Sequence, residues 1–141
     1  IDAGRLMPPD PAIERADQRR MDHPMFFFDS GQLLEIGEAI GQSLQSRTRV
    51  RIYAMTIQPQ HVHIVLGDTP VSLGGIVKCV KDAARWRLRA GRPIWGAGYD
   101  KRFCFDENSL QARIEYVERH NVQMGWSRRP WKFVAPPFRP G

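Results

Sequence analysis

Cysteine is scarce in this chain, with two among 141 residues. Cys79 and Cys104 stand at a spacing that matches no zinc motif, so they read as reduced thiols of a cytoplasmic protein. No apolar run approaches the roughly 18 residues that span a bilayer. Phe26-Phe27-Phe28 is the greasiest cluster, and no membrane partner is expected. A glycine-rich phosphate loop is missing, which removes P-loop nucleotide chemistry. Secretory and transit segments, internal repeats and low-complexity tracts are missing too. The first residue is Ile1 rather than Met, which is read as a trimmed start. Acid is scarce in two places. Residues 78–92 carry Lys78, Lys81, Arg85, Arg87, Arg89 and Arg92 against Asp82 alone. From Ser127 onward, Arg128, Arg129, Lys132 and Arg139 meet no acid at all.

What is present is therefore basic: net charge +6 and a pI near 9.9. Local excess of this kind suits a polyanion, with nucleic acid the leading candidate. The plainer alternative is a solubilising surface. The length fits one domain with a modest core.

Residues 1–25 are rich in proline and charge and read as an extended arm, with a short helix over 12–21. Asp29 is positioned to cap a helix to residue 46, whose Leu33, Leu34, Ile36, Ile40 and Leu44 recur at helical spacing. Gly37 and Gly41 either weaken that helix or allow a close approach to its neighbour. A strand over 49–57 follows, with Val50, Ile52 and Ala54 on one face and Arg49, Arg51 and Tyr53 on the other. Gln58-Pro59-Gln60 is too short for a crossover, so it joins this strand to 61–66 as an antiparallel hairpin. Ser72 caps a second helix to residue 90 with Gly91 at its end, and Leu73, Ile76, Val77, Val80, Ala84 and Leu88 form its core stripe. A strand over 99–105 and a third helix from Asp106 to residue 121 complete the domain. Residues 127–141 read as a basic, proline-rich tail. The order predicts an α+β fold: a small antiparallel sheet with helices on one face and the other face free.

On the hairpin, His61 and His63 project to the same face, opposite Val62, Ile64 and Leu66, because side chains alternate along a strand. Two imidazoles so placed can share one divalent cation. They can equally be polar residues on a solvated sheet face, since His-x-His is short and common. Tyr116 and His120, four apart on the third helix, stack on one face beside its buried stripe of Leu110, Ile114 and Val117. Taken singly, Tyr116 is a boundary residue and His120 a helix-end histidine favoured by the macrodipole. Together with His61 and His63 they offer three imidazoles and a phenol.

The run from Tyr53 to Leu66, Tyr-Ala-Met-Thr-Ile-Gln-Pro-Gln-His-Val-His-Ile-Val-Leu, resembles the signature strand pair of the single-tyrosine HUH transposases. Tyr116-Val-Glu-Arg-His-Asn-Val-Gln-Met-Gly125 resembles that family's later tyrosine block, and Trp95-Gly-Ala-Gly-Tyr-Asp-Lys-Arg-Phe103 the segment between them. The nearest branch is the REP-associated tyrosine transposases. The likeness covers about residues 26–126 and departs from the pattern at His120-Asn121, where Asn-Pro is usual. It also implies a strand before the first helix that residues 1–25 do not supply.

The resemblance implies a ferredoxin-like HUH nuclease fold that cleaves and rejoins single-stranded or hairpin DNA through a 5′-phosphotyrosine. Tyr116 would be the nucleophile, and His61, His63 and His120 would hold Mg²⁺ or Mn²⁺. Lys101 and Arg102 would stabilise phenolate character, and Lys78, Lys81, Arg85 and Tyr99 would join them in contacting DNA. A homodimer is compatible with the family. The main rival is a transposase-derived protein that binds hairpin or single-stranded DNA without cutting it. A structural zinc site is a further alternative. Histidine-triad hydrolases need a third alternating histidine, and Val65 stands there instead.

Overall fold

A computed structural model describes residues 2–3, 29–59, 61–89, 104 and 106–137. The elements run β1 (Asp2–Ala3), α1 (Ser30–Arg47), β2 (Ile52–Ile57), β3 (Val62–Leu66), α2 (Leu73–Leu88) and α3 (Glu107–Gln123). The expected helix at 12–21 and the strand at 99–105, Cys104 excepted, lie outside the described residues. Cys104 is buried but belongs to no strand, and it is not joined to Cys79.

Each helix starts where its capping residue stands. Asp29 accepts from the Gln32 backbone N–H at 2.8 Å, while the Gln32 side chain accepts from the Asp29 N–H at 3.0 Å. This reciprocal box satisfies two backbone donors that the first turn leaves unpaired. Ser72 and Asp106 accept from the N–H groups of Gly75 and Ser109 in the same way. Those bonds from Ser109, backbone first and hydroxyl second, hold the Asp106 carboxyl below its usual range.

β2 and β3 form the expected antiparallel hairpin, closed by Gln58 N–H donating to the His61 carbonyl at 2.9 Å. Asp2 and Ala3 pair parallel to β3 on its other side, opposite Val65 and Leu66, giving the order β1-β3-β2. A strand before the first helix is therefore present, contrary to expectation. Two residues are too few to show a period in sequence.

A bulge between Ile52 and Ala54 shifts the register. Tyr53 and Ala54 then both serve the second face, whereas plain alternation had put Ala54 beside Ile52. On the first face Ile52, Met55, Ile57, Ile64 and Leu66 pack with Leu33, Ile36, Ile40 and Leu44 of α1 and with Ile76, Val80 and Ala84 of α2. On the second face Ala54 and Val65 pack against Ile114 and Val117 of α3. Helices thus cover both faces, which corrects the one-sided arrangement expected. β2 and β3 present buried residues on both sides, so neither face is left to water.

The tail is not a loose extension either. Trp131 is buried in the first core, its indole N–H donating to the Leu34 carbonyl at 2.9 Å. Val134 bridges to Ile52, and Ala135 N–H donates to the Ile52 carbonyl at 3.0 Å. The indole of Trp131 and the ring of Phe133 occupy the space where side chains at Gly37 and Gly41 would stand. The two glycines, four apart on α1, therefore form a shallow seat for the tail. Trp131 is therefore closed to solvent, whereas Trp86 on α2 is 75% exposed.

Candidate functional site

The hairpin delivers the two histidines as the alternation demands. His63 lies opposite Thr56 on the second face, and His61 stands just ahead of β3. Their ring centroids are 4.5 Å apart, edge to face. α3 crosses this face with Ile114 and Val117 inward, which turns Tyr116 and His120 toward the histidines. Tyr116 lies 6.2 Å from His63 and 4.6 Å from His120, and His63 lies 5.9 Å from His120, centroid to centroid. All four residues named from sequence as nucleophile or ligands are together.

The face is only partly open. His61 is exposed, while His63, Tyr116 and His120 are half-buried. Burial is the largest reason that His63 is pushed from 6.5 down to about 2, with the neighbouring His61, Arg113 and His120 adding to it. The ring is therefore neutral at any ordinary pH, with a lone pair available. His120 Nδ1 lies 2.9 Å from the Tyr116 carbonyl oxygen. A carbonyl only accepts, so Nδ1 is the protonated nitrogen and Nε2 carries the lone pair.

Three residues here were not singled out from sequence. Arg113 is buried, with its guanidinium carbon 4.6 Å from the Tyr116 ring centroid. Asn121 is fully buried and donates at 2.9 Å to both the Met55 and the Arg128 carbonyls. It ties α3 to β2 one residue from Thr56, the partner of His63. Its Oδ1 is buried without a hydrogen-bond partner among the described residues. Glu118, also buried, accepts from Arg129 Nε at 2.9 Å. Gly125, at φ +83, turns the chain so that Trp126 N–H donates back to the Asn121 carbonyl at 3.0 Å. Arg113, Val117 and Asn121 recur at intervals of four, so two polar residues on a helix stripe that must face the sheet were the available signal.

The basic residues divide differently. Lys78, Lys81 and Arg85 belong to α2, which packs beside α1 behind the first face, so the sheet and α1 separate them from the histidines. Lys78 is exposed and pairs with Asp82 at 3.4 Å. Tyr99, Lys101 and Arg102 lie outside the described residues.

Among the described residues, no three His, Cys, Asp or Glu side chains stand where they could hold one metal ion. The imidazoles are neighbours packed edge to face or tilted. Nor, among those residues, is any helix long and apolar enough to cross a membrane. Comparison with known proteins yields no relative: no family model, curated protein or solved structure matches the chain.

Proposed function

We propose that this chain is a metal-dependent, single-stranded DNA transposase or endonuclease of the HUH type, acting through Tyr116 and a 5′-phosphotyrosine intermediate. One observation carries the reading. A phenol and three imidazoles, drawn from a hairpin and from a helix more than fifty positions later, gather on one sheet face. An inert sheet face needs no such convergence.

By donor chemistry, though not in their present edge-to-face and tilted spacing, the three imidazoles suit a borderline divalent ion. His63 is kept neutral by burial and His120 presents Nε2, so His61, His63 and His120 are the residues that would hold it. Imidazole nitrogens favour Mn²⁺ over Mg²⁺, which prefers oxygen. When bound, such an ion supplies positive charge to the scissile phosphate as negative charge develops there.

The remaining roles belong to the chain itself. A phenol is by itself a weak nucleophile at neutral pH. The Arg113 guanidinium stands over the Tyr116 ring, 4.6 Å from its centroid, and places positive charge beside the nucleophile. α3 holds the phenol through Ile114 and Val117, and Asn121 anchors that helix to the strand paired with β3. In the transfer, Tyr116 Oη bonds to phosphorus and the bond from phosphorus to the 3′ oxygen breaks. The phenol loses its proton and the departing oxygen gains one. The new ester retains the bond energy, so rejoining needs no nucleotide cofactor.

The test is a denaturing gel with end-labelled hairpin and single-stranded oligonucleotides, in Mn²⁺ or in EDTA. The expected result is a protein–DNA adduct in Mn²⁺ that disappears in EDTA and in Tyr116→Phe, with DNA affinity unchanged in that variant. Tight binding with no adduct would identify a DNA-binding protein without the chemistry.

A further inference from the structure

α1 and α2 leave a groove of about 620 Å³ between them on the side away from the sheet, lined by Ser43, Ser46, Arg47, Asp82, Trp86 and Arg87 among others. Trp86 is 75% exposed, the most exposed large apolar side chain described. One exposed indole is ordinary by itself, but its charged surroundings single it out. Arg85 and Arg87 flank it in sequence, Arg89 closes the same helix, and Arg47 approaches from α1. Arg87 reaches across the helices to Glu35 at 3.0 Å, with both side chains about half exposed. An exposed pair of this kind is worth little and can exchange its carboxylate for a phosphate. The hydroxyls of Ser43 and Ser46 add neutral donors. Val122, the other exposed large apolar residue described, is on α3, so among the described residues no ring of large apolar side chains surrounds Trp86, and Ala39 and Ala83 add only small ones. A protein interface or a lipid surface needs that ring of apolar contacts. A single aromatic among guanidiniums fits one unpaired base stacked on the indole with its phosphates held by arginine.

We infer that the α1–α2 groove is a second nucleic-acid contact, in which Trp86 stacks one base of a single strand and Arg47 and Arg87 bind the adjoining phosphates. The ligand is single-stranded DNA, the polyanion of the proposed function, and tighter binding of oligo-U than of oligo-dT would overturn that choice. The contact lies behind the first sheet face, remote from Tyr116. It extends the reading of the chain as a nucleic-acid protein but does not depend on cleavage.

The experiment is fluorescence anisotropy of short labelled oligo-dT and oligo-U with the full chain, in EDTA so that no cleavage intervenes. Trp86→Ala and Trp86→Leu should each weaken binding by about tenfold or more, while Trp86→Phe keeps most of it. Arg87→Gln should lower the salt dependence. Unchanged affinity in Trp86→Ala would overturn the inference, as would no binding by the unaltered chain. Trp86→Leu binding as well as Trp86→Phe would also overturn it, by showing a merely apolar contact. The adduct assay separates this outcome from the nuclease reading. Trp86-dependent binding without an adduct keeps the groove and removes the chemistry, and an adduct with Trp86-independent binding does the reverse.

Discussion

The two faces of the sheet are built from different material. The first is aliphatic throughout: Ile52, Met55, Ile57, Ile64 and Leu66 are all at most 2% exposed and meet α1, with α2 and Trp131 completing the layer. The second offers the smaller Ala54 and Val65, with Tyr53 partly buried beside them, to Ile114 and Val117. Around them it encloses Thr56, His63, Arg113, Glu118 and Asn121. Burying polar groups costs free energy unless each is paired, and one carbonyl oxygen of this set, Asn121 Oδ1, has no partner described. The first face therefore carries the stability, and the second holds reactive groups in place at some expense of it.

That division can be broken most severely from the first face. Trp131→Ala removes the indole that fills the glycine seat on α1, and should cost about 3–5 kcal/mol in urea unfolding. The histidine cluster, on the other face, loses no direct contact. Asn121→Ala strikes the second face instead. It deletes the donors to Met55 and Arg128 and leaves two carbonyls short of a partner, for an expected loss of about 1–3 kcal/mol. Adduct formation should fall further than stability alone explains, because α3 loses its tie to the strand paired with β3. A loss of stability with an unaltered adduct rate would show that Asn121 does not position the site.

A smaller effect comes from pH. His63 binds its proton at about 2 when folded and at 6.5 when unfolded. Between these values the unfolded chain holds more protons, so stability is complete above 6.5 and declines as pH falls below it. By pH 5 the loss from this residue should reach at most about 2 kcal/mol, from 1.36 kcal/mol per pH unit. His63→Gln should flatten that part of the stability profile, and an unchanged slope would show that His63 is not held neutral.

Much of this arrangement is legible in the sequence because it depends on local rules. Asp29, Ser72 and Asp106 cap the three helices as their residue types predict. Strand alternation and helical spacing are enough to place His61 with His63 and Tyr116 with His120. The bulge at Tyr53 and Ala54 is not legible, because a one-residue register shift leaves no mark in the hydrophobic pattern. Nor is the tail, whose prolines and arginines conceal that Trp131 and Phe133 are core residues. Gly37 and Gly41 mark a close approach without saying which segment makes it. Arg113 and Asn121 depend on which side of α3 the sheet covers, and that is settled by tertiary packing.

The central claim is that Tyr116 becomes covalently joined to DNA, and mapping the adduct tests it most directly. The chain would be incubated with a hairpin oligonucleotide and Mn²⁺, digested with nuclease and trypsin, and sequenced by mass spectrometry. The account predicts a phosphonucleotide on the peptide Ile114–Arg119, carried by Tyr116. The same modification on another residue, or none under conditions of tight binding, would contradict it.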